Sequence, residues 1–179
     1  WDNNYFLSNT SQSGKDQWIL LDSKGNPLHT KPYDFILPHN GKFFPVIVRN
    51  FWGGLSPSGK EILSCTYDSI LQQLDNNVVV KFHGQYGIVD QSERWLVPPR
   101  PKKIRLIAED RFLEYTPKTT YLKSFDNGIF YFSENKLELH GSNLLEYLPS
   151  GTIWQIGMNG VIGERTILPD MVEKIYPES

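Results

Sequence analysis

A chain of 179 residues is long enough for one ordinary domain or a short repeat array. Hydrophobic residues make up 39% and charged residues 21%, a globular composition that excludes a disordered chain. With 18 basic against 20 acidic residues, the net charge of −2 predicts no nucleic-acid partner and no broad attraction to anionic membrane.

Aromatic residues reach 13%, including five Trp, and such side chains favour strands and large buried contacts. Cys65 is the single cysteine, so no disulfide forms within the chain. No stretch approaches the ~18 consecutive apolar residues of a membrane span, and no membrane insertion is expected. No secretory leader is visible ahead of Trp1-Asp2. An opening without Met fits a processed or excised piece.

In chain order, the first recognisable unit begins at Trp18 and closes on Tyr33-Asp34-Phe35-Ile36. A second begins at Trp52 and closes on Tyr67-Asp68-Ser69-Ile70. Without a gap, six of twenty positions are identical between residues 17–36 and 51–70. The interval is 34 residues, and it carries Trp18 onto Trp52 and Trp52 onto Tyr86. Gly25 aligns with Gly59, while Leu28, Ile62, Leu96 and Phe130 align. A self-similar period of this size indicates a repeat architecture.

The third unit shows what one period contains. Val78 to Phe82 predicts a strand, and His83-Gly84 a tight turn. Tyr86 to Asp90 is a second strand, followed by a turn at Gln91-Ser92-Glu93. Other units fill that turn with Ser23-Lys24-Gly25 and Pro57-Ser58-Gly59, where glycine supplies positive φ. Trp95 to Val97 is a third strand, which Pro98-Pro99 is expected to stop. Residues 104–109 form a fourth extended run.

The fourth unit, about 119–158, keeps Leu122 and Phe130 but loses the aromatic-glycine start. An insertion of about five residues is read near 144–151, where NLLEYL offers a short helical alternative. A shortened fifth unit spans 159–179, with Gly160-Val161-Ile162 and Ile167-Leu168-Pro169 matching Gly87-Ile88-Val89 and Leu96-Val97-Pro98. The units are therefore 17–50, 51–84, 85–118, 119–158 and 159–179 of a single β-repeat domain.

The fold expected is all-β, an array of four to five antiparallel hairpin repeats of about 34 residues. An open array is preferred, and closure into a small propeller is the alternative. Trp18, Trp52 and Tyr86 are expected to stack along one face. Asp34 and Asp68 are expected to cap backbone N–H groups of turns, with Tyr33 and Tyr67 packed over them.

Aromatic-glycine, a glycine turn and a Tyr-Asp-x-Ile or apolar-Pro close together resemble the bacterial WG-repeat family. Trp52-Gly53, Ser58-Gly59-Lys60-Glu61-Ile62, Tyr67-Asp68-Ser69-Ile70, Tyr86-Gly87-Ile88-Val89-Asp90 and Leu96-Val97-Pro98-Pro99 carry the resemblance. The first unit has Trp18-Ile19 without the glycine. The resemblance implies a non-catalytic β-repeat that mediates protein interactions, in the cytoplasm or envelope of a bacterium. It implies no catalytic residue.

The chemistry-bearing residues agree with a non-enzymatic chain. His29, His39, His83 and His140 show no metal-ligand spacing, and Cys65 has no CxxC partner. Glycine-rich phosphate loops are missing and no cofactor motif is present. The one basic cluster, Arg100, Lys102, Lys103 and Arg105, is either a solvated loop or a contact for an acidic partner. A protein partner is the first reading, and carbohydrate binding on exposed Trp95, Tyr115, Tyr121 and Trp154 is the alternative.

Overall fold

A computed structural model describes residues 6–9, 16–38, 42–141 and 143–165. His39 and the second half of the predicted fifth unit, with Ile167 to Pro169, lie outside the described residues. The described chain is all β, built of antiparallel sheets, and divides into two compact units, 1–101 and 102–179.

The first unit opens on a two-stranded sheet, β1 (Phe6–Asn9) and β2 (Trp18–Leu21). The segment after β2 returns along it through bridges Leu21 to Pro27 and Trp18 to Tyr33. A second sheet has β3 (Phe35–Ile36), β4 (Phe44–Val48), β5 (Phe51–Leu55) and β6 (Glu61–Tyr67) in sequence order. The third has β7 (Ser69–Leu74), β8 (Asn77–Phe82), β9 (Gln85–Asp90) and β10 (Trp95–Arg100).

The second unit repeats the plan twice. Its sheets are β11 (Lys103–Ala108), β12 (Arg111–Tyr115), β13 (Thr120–Ser124), β14 (Ile129–Ser133), then β15 (Lys136–His140), β16 (Asn143–Tyr147), β17 (Ile153–Ile156), β18 (Ile162–Arg165). Each is a four-stranded meander of the kind used as a propeller blade. The four-stranded sheets begin at residues 35, 69, 103 and 136, so the sequence period is one sheet. Their boundaries fall half a period away from units begun at the aromatic, which opens the third strand of each sheet.

Turn chemistry explains this regularity. Asp22, Ser56, Asp90, Ser124 and Gly157 each start the same five-residue turn, at the ends of β2 and of the third strands β5, β9, β13 and β17. In each, the first N–H donates to the carbonyl four residues on, and the fourth N–H returns to the first carbonyl. The fourth residue is Gly25, Gly59, Glu93, Asn127 or Gly160, and all five have φ between 59° and 83°. Where the first residue is aspartate its side chain supports the turn: Asp22 Oδ1 and Asp90 Oδ1 each accept two backbone N–H groups.

Two sequence expectations are corrected. NLLEYL is neither helix nor insertion; it is mostly strand β16, with Leu144, Leu145 and Glu146 buried. Its true counterpart is β12, because Leu113-Glu114-Tyr115, Pro117 and Thr120 recur 32 residues on as Leu145-Glu146-Tyr147, Pro149 and Thr152. A fixed shift of 34 misses that match. Nor do Pro98 and Pro99 end β10, which continues to Arg100. β10 is an edge strand, where a missing N–H costs no ladder bond.

The cores lie between successive sheets. Leu20, Tyr33, Ile36, Phe44, Val46 and Leu55 pack together in the first unit, beside Phe43, Leu63, Tyr67, Val78, Val80 and Val89. In the second unit Ile107, Leu113 and Leu122 meet Leu137, Leu144 and Ile156. A single sheet could bury only part of this apolar surface; its neighbour completes it.

Candidate interaction surface

The recurring aromatic occupies one structural position, the second residue of a third strand, at Trp52, Tyr86, Tyr121 and Trp154; Trp18 opens β2. Tyr121 and Trp154 thus belong to the repeated set rather than to a separate exposed row. The rings do not form one continuous stack. Trp18, Trp52 and Trp154 each pack, half-buried, against the edge of a different core cluster. Of the repeated aromatics it is the closing pair, Tyr33 and Tyr67, that is buried.

Glycine follows Trp52 and Tyr86 because the bulged fourth strand crosses there. A Cβ on Gly53 would lie 2.6 Å from the Leu63 carbonyl oxygen, and one on Gly87 would lie 2.5 Å from the Trp95 ring.

Asp34 and Asp68 hold the hairpin turns of the following sheets. Asp34 Oδ2 accepts Arg49 N–H at 2.6 Å, and Asp68 Oδ2 accepts Gly84 N–H at 2.7 Å. Both turns carry left-handed residues, Arg49-Asn50 and His83-Gly84. The preceding tyrosines join neighbouring sheets: Tyr33 Oη donates to Glu61 Oε2 at 3.1 Å, and Tyr67 Oη to Glu93 Oε1 at 3.2 Å. Burial, reinforced by the adjacent carboxylate, holds both tyrosine hydroxyls well above their usual pKa. Tyr131 Oη donates to buried Glu146 at 2.5 Å in the second unit.

The basic cluster is divided. Arg100 ends β10 in the first unit, with Nε donating to Pro98 O at 3.3 Å. In the second unit Lys102 lies 3.3 Å from buried Glu114, which also holds Lys123 at 2.9 Å. Both ammonium groups lie over the Tyr121 ring. Arg105 bonds to Tyr115, leaving Lys103 exposed on edge strand β11 without a partner among the described residues.

The four rings named as sugar platforms are mostly engaged. Trp95 is 38% exposed but packs on Tyr67 and Phe82, with centroids 6.2 and 5.8 Å away. Tyr115 and Trp154 are half-buried on the second unit's core.

Other exposed apolar groups were not evident from the sequence. Edge strand β14 presents Ile129, Phe130 and Phe132, the last 63% exposed. Phe35 is 58% exposed beside a cleft of about 540 Å³ lined by Leu7, Asp16, Trp18, Asp34, Phe35 and Ile36. No periodicity distinguishes these positions, since a strand residue's exposure depends on what covers its sheet.

The reactive candidates stand apart. Burial pushes the half-buried Cys65 thiol up to about 11. His29 Nε2 accepts the Leu20 N–H at 3.0 Å while Nδ1 donates to the Lys31 carbonyl at 2.7 Å. Among the described residues no three His, Cys, Asp or Glu side chains are grouped to hold a metal ion.

No family model matches the chain, and no curated protein matches it. Solved structures do. The crystal structure of a eukaryotic initiation factor aligns with a TM-score of 0.54 at 9% identity, over 92% of this chain and 52% of that one. BamB from Moraxella catarrhalis aligns at 0.41 and 13% identity, over 91% and 58% of the two chains. The computationally designed Ika8 protein aligns at 0.47 and 12%, over 92% and 59%. The fold is β-propeller-like. The chain spans a little over half the length of these structures.

Proposed function

We propose that this protein is a non-enzymatic β-repeat module of the WG-repeat type that binds another protein. The exposed apolar edge carries this reading. β14 sets Ile129, Phe130 and Phe132 at the solvent-facing margin of a sheet, and an isolated soluble surface rarely groups large apolar side chains in this way. The repeated aromatic-glycine position supports the family assignment, because the same backbone approach recurs at Gly53 and Gly87. Lys103 and Arg105 add positive charge on the opposite edge strand of the same sheet, suited to an acidic contact.

The test is affinity capture with the full chain against a double variant, Ile129→Asp with Phe132→Asp, and against charge reversal at Lys103. A specific protein retained by the native chain and released by the edge variant is the expected result. Retention of a glycan and of no protein would overturn the reading.

A further inference from the structure

The cleft beside Phe35 departs from the repeat in its chemistry. Residues equivalent to Phe35 are Ser69 and Lys103, and that equivalent to Asp16 in the next sheet is Asn50. The fold therefore requires neither an aromatic nor a carboxylate at these places. Here Phe35 and Trp18 form an apolar lining, while Asp16 and Asp34 add two carboxylates to the same cleft.

Each carboxylate has one oxygen committed within the protein. Asp16 Oδ1 accepts from Asn9 Nδ2 at 2.8 Å, and Asp34 Oδ2 accepts Arg49 N–H. No cationic side chain pairs with either among the described residues; Lys31, the nearby cation at the unit's close, is held 2.8 Å from Glu61. The cleft thus combines an apolar, aromatic lining with two carboxylates that pair with no cation among the described residues, a combination suited to a cationic group. A cation would gain ring-face attraction and charge-assisted hydrogen bonds together. Arginine and lysine also bring an apolar stem that fits the Leu7 and Ile36 lining.

We propose that this cleft takes a lysine or arginine side chain of a protein partner, an assignment that rests on the interaction-module reading. The probes are Nα-acetyl-arginine amide and Nα-acetyl-lysine amide, titrated into the full chain while the Trp18 indole N–H resonance is followed. Nα-acetyl-glutamine amide and methyl glucoside serve as neutral comparisons. The cationic probes should shift Trp18 at concentrations at least tenfold below the neutral ones. Asp16→Asn with Asp34→Asn should weaken that response at least tenfold, while the amide that replaces the Asp34 carboxylate still offers an oxygen to Arg49 N–H. Phe35→Ser, which restores the repeat's own residue, should weaken it without changing the melting temperature.

Equal responses to charged and neutral amides, or a response to methyl glucoside alone, would overturn the assignment. The two readings fail separately. A captured partner still held by the Asp16/Asp34 variant overturns the cleft assignment and leaves the interaction module standing. Cation-dependent shifts with no protein captured overturn both the module and the protein source of the cation.

Discussion

Tyr67 and Glu93 are bonded across two successive sheets, the tyrosine hydroxyl donating to Oε1 at 3.2 Å. Glu93 occupies the turn position that is glycine in three of the five units, and its φ is 59°. The same Oε1 accepts Ser64 N–H at 2.8 Å and Ser64 Oγ at 2.7 Å. A strained backbone residue is thus kept where its side chain ties one sheet to the last.

Glu93→Gly should therefore destabilise the protein although it relieves the left-handed strain. Relief is worth about 1–2 kcal/mol. Losing three acceptor contacts to a charged group, one from a backbone N–H, costs more, about 1.5–3 kcal/mol for even one such bond. Urea titration of the two proteins reads the difference, and a glycine variant more stable than the native chain would refute the bridging role.

Gly59 and Gly25 share the turn and the positive φ but differ in surroundings. A Cβ on Gly59 would lie 2.2 Å from the Leu28 carbonyl oxygen, whereas one on Gly25 meets nothing within 4 Å. Gly25→Ala should cost about 1–2 kcal/mol, the conformational penalty alone. Gly59→Ala should cost clearly more, because backbone of the preceding repeat must move. Equal midpoints in denaturant for the two variants would show that the repeats are not packed this closely.

Tyr67 should matter more than Trp52, despite the larger ring of the tryptophan. Tyr67 is fully enclosed in its cluster, while Trp52 only borders it. Tyr67→Ala should cost about 3–5 kcal/mol, the range for emptying a buried aromatic site. Trp52→Ala should cost less, and thermal unfolding of both variants checks the order.

His29 gives the fold an acid sensitivity. Burial lowers its pKa below 6.5, and its Nε2 must stay unprotonated to accept the Leu20 N–H. The unfolded chain takes up a proton near 6.5, ahead of the folded one. This contribution to stability is thus complete above that pH and is lost as pH falls from there toward the lowered folded value. The melting temperature between pH 7.5 and 5.5 should fall more for the native chain than for His29→Gln, which keeps an acceptor without titrating.

Cys65 should be a slow nucleophile. With its thiol pushed up to about 11, little thiolate exists at pH 8. Its alkylation by iodoacetamide at that pH should run at least tenfold slower in the folded protein than in denaturant. Rapid labelling of folded protein would contradict this.

The sequence by itself determined the local units. Its period, its β-branched runs and its Asp, Ser and Gly turn residues specify where each strand begins and turns, because those preferences act over a few neighbouring residues. Asp34 and Asp68 could be assigned to turns on the same ground. Tertiary structure decided the rest. Whether Tyr67 or Trp52 is enclosed depends on the next sheet, which covers one ring and only edges the other. Glu93 and Asn127 stand where glycine is the local choice, so a glycine search loses the turn there even though the backbone keeps it. The fourth strand-set was lost at a strict interval of 34, since Tyr121 and Trp154 lie 35 and then 33 residues along. Packing between sheets tolerates one residue gained or lost in a turn, while an aligned sequence shift does not. The cleft between Trp18 and Phe35 arises only when residues distant along the chain are brought to one sheet margin, a placement that short-range preference cannot encode.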